Sequence, residues 1–411
     1  MQDKFQWYVG IDWATEKYDV CVLDASGREI AKRVIEHSGS GIAELLDWLT
    51  ELAGRKPEAV AIAIETPRGA MVEGLVERNF AVFAINPKQL DRFRDRYTVA
   101  GAKDDSLDAF VLGDSLRTDQ PCFHRVQLDD AQRIRLRELS RIEEDFQSQS
   151  NRLSNQLWEQ LHRYYPQMLS LSSAANEAWM WDLLELAPQP SEVGSLKLAV
   201  VKRLLRSYRI RRLSAEQVLS ILQRPALRLA PGAAEAAGEH ALLLLPLLRS
   251  VHEQQQQVSR RIRRLLEQLS RPATEHSDAA ILLSLPGVGQ SVGATMLAEA
   301  SQPLAERDYH ALRCYTGIAP VTRKSGKRKV VLMRYGCNQR LRNALYYWSL
   351  ASIQNDPWAR AYYAELRARG HSHGTALRML GDRWLAVLVA MLKTRTLYDP
   401  GRRLQAQAQA S

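Results

Sequence analysis

Between Phe5 and Asp24 the chain alternates apolar and polar residues twice, as "FQWYVGID" and "KYDVCVLD", with a short polar turn between them. A period of two predicts strands, and "REIAKRVIE" supplies a third member of an antiparallel meander. The period then changes. Ile42, Leu45, Leu46, Leu49 and Leu52 recur at threes and fours, which places them on one face of an amphipathic helix. "AVAIAIE" is short and almost wholly apolar, the pattern of a strand covered on both faces. A helix around "AMVEGLVERN" and a fifth strand, "FAVFAIN", follow, and Pro87 stops that strand. Residues 1–125 are thus predicted to form a mixed α/β layer.

Residues 126–270 carry a helical pattern. Leu139, Ile142, Phe146, Leu153, Leu157 and Leu161 are spaced by threes, fours and sevens, and so are Val251, Val258, Ile262, Leu265 and Leu269. The residues between them are rich in Gln, Arg and Glu, so two long helices are expected to pair as a coiled-coil hairpin or across a dimer. Between these, "LKLAVVKRLLRSYRIRRLSAEQVLSILQRP" predicts a basic helix, a break, and a second helix opened by the capping-box pattern Ser214-x-x-Gln217. That pair suits a nucleic-acid surface and a solvated basic face equally well. From 271 to 400 a mainly helical third part begins with "AILLSLPGVGQSVGATMLAEA", a helix, a Pro-Gly-x-Gly hairpin and a second helix. In a helix-hairpin-helix, Gly287 and Gly289 let backbone N–H groups approach a phosphate, although a turn between two core helices has the same pattern. Residues 401–411 are expected to be a flexible tail.

Composition sharpens this division. The net charge of +10 is not spread evenly. Nineteen Lys and Arg face six Asp and Glu between Pro303 and Arg403, which leaves the rest of the chain slightly acidic. Segregated positive charge is the footprint of phosphate-backbone binding. Four scattered cysteines with no CxxC pair argue against a zinc ribbon or a disulfide framework and suit a reducing cytoplasm. No signal peptide is expected from "MQDKFQWYVG", and "ALLLLPLL" is too short to span a bilayer.

Three antiparallel strands followed by βαβ crossovers is the order of an RNase H-like sheet. In that order the first and fourth strands are neighbours, so Asp12 in "VGIDWA" and Glu65 in "AIETP" emerge side by side. "GAKDDSLDAF" adds Asp104, Asp105 and Asp108, with Asp105 and Asp108 one helical turn apart. Converging carboxylates repel unless a cation joins them, and hard oxygen donors suit Mg²⁺ or Mn²⁺. Two such ions about 4 Å apart can hold both sides of a phosphodiester. Each acid also has a plain structural use, as a turn residue or as a helix cap. Farther on, "VTRKSGKRKV" sets Ser325 among Arg323, Lys324, Lys327, Arg328 and Lys329, either as half of a turn or as a nucleophile that the charges serve. Arg334, Arg340 and Arg342 suit phosphate or RNA contacts. His371 and His373 lack a third ligand nearby and read as a polar lead-in to a helix, Tyr315 is expected to pack, and "YYW" at Tyr346–Trp348 to be helix core.

The order "GID…IETP…AKDDSLDA", then "LPGVG", "YTGIAP", "RKSGKRK" and "RYGCNQRLRNAL", resembles the DEDD insertion-sequence transposases. Their N-terminal domain is RuvC-like and is followed by a C-terminal transposase domain. The resemblance covers the first hundred or so residues and about 281–347. It implies a bridge-RNA-guided recombinase that joins donor and target DNA. Asp12, Glu65, Asp105 and Asp108 then take the acidic, metal-binding positions, and Ser325 matches the nucleophilic serine that forms a phosphoserine link. Asp104 stands where the family more often has Thr. A dimer or tetramer, and a site composite between subunits, are further implications. The alternatives are a two-metal nuclease with no covalent step, and a nucleic-acid-binding protein without catalysis.

Overall fold

The computed structural model describes residues 5–85, 87–97, 105–127, 129–230, 232–271, 276–326 and 328–401, without the side chains of Lys88, Asp105 and Arg328. Asp104, Lys327 and residues 402–411 lie outside the described residues. The chain forms two compact units, 1–129 and 130–411.

In the first unit, β1 (Trp7–Trp13), β2 (Lys17–Asp24) and β3 (Glu29–Glu36) form the antiparallel meander, and α1 (Gly39–Leu52) follows. Next come β4 (Val60–Ile64), α2 (Ala70–Glu77), β5 (Ala81–Ala84), α3 (Pro87–Arg94), α4 (Asp105–Asp119) and β6 (His124–Arg125). The sheet order is β3-β2-β1-β4-β5-β6, with β1, β4 and β5 parallel to one another. This is the RNase H-like arrangement. The short edge strand β6, antiparallel to β5, carries no periodicity that a two-residue strand could show. Strand alternation divides two cores. Val9, Ile11, Ile62 and Ile64 pack with Leu45, Leu49 and Leu75 on the side of α1 and α2. Tyr8, Cys21, Ala61, Ala63 and Phe83 pack with Leu90, Ala109, Leu112 and Leu116 on the side of α3 and α4.

The second unit is built around two long helices, α5 (Ala131–Tyr164) and, after α6 (Pro166–Leu169), α7 (Ala178–Leu186), α8 (Leu198–Ser207) and α9 (Ala215–Leu222), α10 (Ala233–Leu269). α5 and α10 pack against each other within one chain, the hairpin form of the two pairings that the heptads allowed. The capping box is present: Gln217 N–H donates to Ser214 Oγ at 3.2 Å and Ser214 N–H to Gln217 Oε1 at 2.8 Å. Further along are α11 (Asp278–Leu283), α12 (Gln290–Glu299), α13 (Ser301–Ala305) and α14 (Tyr309–Tyr315). A two-stranded ribbon, β7 (Val321–Ser325) and β8 (Arg328–Leu332), precedes α15 (Gln339–Asn355), α16 (Pro357–Ala368) and α17 (His373–Thr394). One core joins the α6–α9 helices to Leu157, Leu161, Leu244 and Leu248. The other joins Leu136, Ile262 and Leu265 to the C-terminal helices around Trp348 and Trp384. None of the helices is long and apolar enough to cross a membrane, among the described residues.

Candidate active site

β1 and β4 run in parallel with Ile11 opposite Ile64, so Asp12 and Glu65 are the next residue on each of two neighbouring strands. Both are in phase with the α4 side of the sheet, since Gly10 and Ala63 lie on it. α4 comes unusually close here. A Cβ at Gly10 would stand 1.8 Å from the Ala109 carbonyl oxygen and 2.6 Å from the Gly113 nitrogen. One at Gly113 would stand 3.1 Å from the Gly10 nitrogen, so two glycines make the contact possible from both sides. The helix runs antiparallel to β1, which brings Asp108, beside Ala109, to the end of the strand that carries Asp12. Asp105 opens the same helix, and its side chain is outside the described residues.

Asp108 is buried and not idle. Arg94 donates from Nε to Oδ1 at 2.6 Å and from its terminal nitrogen to Oδ2 at 2.9 Å, a two-pronged pair anchored in turn by Asp91. Asp12 has a second acidic neighbour, for it lies opposite Asp19 of β2, which is 6% exposed and bridged by Lys17 at 3.0 Å. Sequence reading missed Arg94 and Asp19. A charge inside the apolar strand "KYDVCVLD" was the available signal for Asp19; Arg94, in a helix rich in Arg and Asp, carried none. No three acidic, His or Cys side chains are close enough to hold a metal ion, among the described residues. As a donor set, strand-end and helix carboxylates on one sheet face suit a hard divalent cation, and one that draws on Asp108 must displace Arg94.

Ser325 occupies the last position of β7, opposite Arg328, so the connection is the two-residue loop Gly326-Lys327. Gly326 has φ +54°, the left-handed conformation that tight hairpin turns require. Ser325, Arg323 and Lys324 are exposed. Lys324 faces Lys329 across the ribbon, which keeps two cations close together in solvent. The other basic candidates are differently placed. Arg334 donates to the Ala319 carbonyl at 3.1 Å, closing the base of the ribbon. Arg340 corrects the reading of "RYGCNQRLRNAL" as uniformly nucleic-acid-facing. It bonds Ser140 Oγ at 2.9 Å and pairs with Glu144 at 3.1 Å and Glu299 at 3.4 Å, so its charge serves the packing of α15 on α5 and α12. Burial works against ionisation of Glu299, yet Arg141, Asn338 and Arg340 hold its carboxyl below the usual range.

Gly287 has φ +83°, and a Cβ there would lie 2.6 Å from the Ser352 nitrogen of α15. Trp348 Nε1–H donates to the Pro286 carbonyl at 3.1 Å on the same turn. The Pro-Gly hairpin is therefore packed on α15 at Gly287, while Gly289 is exposed at the start of α12. "YYW" also needs correcting as uniform core. Trp348 is fully buried, but Tyr346 and Tyr347 are 40% and 61% exposed. Successive helix residues turn by about 100°, so three in a row cannot share one face. Tyr315 packs against the C-terminal core, and His373 opens α17.

Residues 9–166 match the DEDD transposase family of IS110, and residues 279–364 match the "Transposase IS116/IS110/IS902 family". The "Mini-circle putative transposase for IS117" of Streptomyces coelicolor is 33% identical over 418 residues, covering 100% of this chain and 99% of its own. The chain belongs to the IS110-type insertion-sequence transposases. The "Putative transposase y4uE" of Sinorhizobium fredii is 46% identical over 216 residues, which is 52% of the transposase and 60% of that relative, so the match spans under two thirds of that relative's length. The "Insertion element IS110 uncharacterized 43.6 kDa protein" of S. coelicolor is 26% identical with 95% of each chain covered. A DEDD domain implies use of a divalent metal, and a transposase implies DNA as partner.

Proposed function

We propose that this transposase cuts and rejoins donor and target DNA through a phosphoserine intermediate at Ser325, with Asp12, Glu65, Asp105 and Asp108 as the acidic set that holds Mg²⁺ or Mn²⁺. The observation that carries the reading is the sharing of one sheet face by Asp12, Glu65 and the Asp108 helix, in a chain whose one basic ribbon presents an exposed serine at its turn. The cation, when bound, would neutralise charge gathering on the phosphodiester and lower the proton affinity of a coordinated oxygen. Ser325 Oγ forms a bond to phosphorus as the bond from phosphorus to the leaving strand oxygen breaks. The hydroxyl proton passes to solvent and the leaving oxygen acquires one. The phosphoester keeps the bond energy for resealing, which strand exchange needs and hydrolysis discards. Lys324 and Lys329 stand where they stabilise the added negative charge. A guide RNA selecting the sites by base pairing, assembly as a dimer or tetramer, a composite site between subunits and action in the bacterial cytoplasm complete the proposal.

The test is an SDS-resistant adduct assay with the element's DNA ends, candidate RNA and Mg²⁺, comparing wild type, Ser325→Ala and Asp12→Ala. An adduct in the wild type that both substitutions abolish supports the proposal. Cleavage without an adduct, kept by Ser325→Ala and lost in Asp12→Ala, makes the protein a metal-dependent nuclease instead.

A further inference from the structure

A cavity of about 140 Å³ lies within the second unit at the foot of the β7–β8 ribbon. Its walls come from both ends of that ribbon, Ile318 before β7 and Met333 after β8, together with Leu345 of α15 and Leu377 of α17. The volume has a scale: an apolar protein cavity on the order of 150 Å³ takes up one benzene ring. The lining also carries Tyr346, Arg342 and Arg378. Arg342 Nε–H is buried and has no hydrogen-bond acceptor among the described residues. Arg378 holds Thr375 Oγ1 at 3.0 Å with one nitrogen, while another reaches only the Met333 sulfur at 3.8 Å. A buried donor without a partner costs free energy that a ligand's acceptor recovers. Tyr335, 75% exposed, has the Arg342 guanidinium 5.7 Å from its ring centre, so an aromatic surface adjoins one of the arginines of the cavity.

A one-ring, flat occupant with carbonyl acceptors meets these conditions. The geometry points to a receptor for a single pyrimidine base, thymine or uracil, lifted out of its stack beside the ribbon that carries Ser325. Cytosine is disfavoured because its amino group needs an acceptor, and no carboxylate lines the cavity. A purine exceeds the one-ring space. Extruding a base fixes the strand against the ribbon by more than phosphate contacts, in the way that enzymes acting on nucleic acids seat flipped bases between apolar and aromatic side chains. This inference rests on reading the chain as a nucleic-acid enzyme, but not on the phosphoserine step.

Gly374 makes the test clean. It lines the cavity, and a Cβ there meets only the Arg378 guanidinium at 3.6 Å, so Gly374→Leu fills the space without touching a backbone neighbour. Full-length protein is titrated in EDTA against fluorescent 12-mers of dT, rU, dA and an all-abasic strand, with anisotropy as readout and a thermal melt as folding control. The expected result is dT or rU bound about ten-fold tighter than the abasic strand. Gly374→Leu should reduce that gap to under two-fold and leave abasic binding unchanged, and Arg378→Gln should narrow it too. Preference for dT over rU assigns the captured base to DNA, and the reverse assigns it to RNA. Equal binding of dA and dT, no gap in the wild type, or a gap that survives Gly374→Leu overturns the assignment. The assay contains no metal and no scissile junction, so a failed adduct experiment leaves this result standing.

Discussion

The two regions that carry the proposed chemistry are built on opposite principles. The carboxylates of the first unit sit on a six-stranded sheet with helices on both faces, and Asp108 is buried, paired and pressed against β1 by a glycine-to-glycine contact. Ser325 sits at the turn of a two-stranded ribbon whose side chains face solvent. A lone two-stranded ribbon is marginal in water, so its order depends on what holds its foot. Arg334, the α15 helix and the Glu299 cluster do that. The difference teaches where each region tolerates change. The acidic face is set by packing and breaks when packing is disturbed. The ribbon is set by turn geometry and its anchorage, and its exposed groups can be exchanged with little effect on the fold.

Four substitutions test that contrast. Gly10→Ala should be the most damaging, because its Cβ has no room against the Ala109 carbonyl. Overpacking of this kind costs about 3 kcal/mol, whereas Ser325→Ala should stay within about 0.5 kcal/mol as an exposed site. Chemical denaturation of both variants compares them directly, and equal stabilities would break the contrast. Next, Glu299→Gln leaves Arg141 and Arg340 without their buried carboxylate and should destabilise the second unit by roughly 2–3 kcal/mol at pH 7. Because Glu299 titrates below its ordinary value when folded, its contribution is complete above the unfolded carboxylate range near about pH 4.3 and fades as pH falls through the depressed folded value. Acid melts of wild type and Glu299→Gln should therefore converge at low pH; a constant gap contradicts this.

Arg94→Gln removes the cation that holds both Asp108 oxygens. Calorimetric titration with Mn²⁺ should show tighter binding by several-fold, and weaker binding would mean that Arg94 positions Asp108 for the metal rather than competing with it. The smallest effect is expected on the ribbon. Lys324→Ala should lower the slope of log affinity against log salt for DNA by about one while leaving the melting temperature unchanged. A shift in melting temperature would give Lys324 a structural part that its exposure does not suggest.

Much of this was legible in order along the chain. The strand alternations placed Asp12 and Glu65 at strand ends, the Ser-x-x-Gln pattern marked a capped helix that is present, and "KSGKR" named a tight turn. These features depend on residues within a few positions of each other, where backbone sterics and solvent preference act directly. The acidic pair emerged because one parallel register joins their two strands. By contrast, nothing in "GAKDDSLDAF" announced that Arg94 would grip Asp108, or that Asp19 would stand opposite Asp12. Arg340 looked like its neighbours in a basic segment until Glu144 and Glu299 were brought to it from α5 and α12.

Sequence alone determined the kinds of element, their order, and which residue types capable of chemistry lie at strand ends and turns, because those follow from local periodicity and turn stereochemistry. Tertiary structure decided which charges are spoken for, that α5 and α10 close on each other within one chain, that Tyr346 stays at the surface while Trp348 is buried, and that a ring-sized cavity exists at the ribbon's foot. Those outcomes depend on close packing between residues a hundred or more positions apart, where single contacts such as Gly10 against Gly113 set the distance and no local pattern records it.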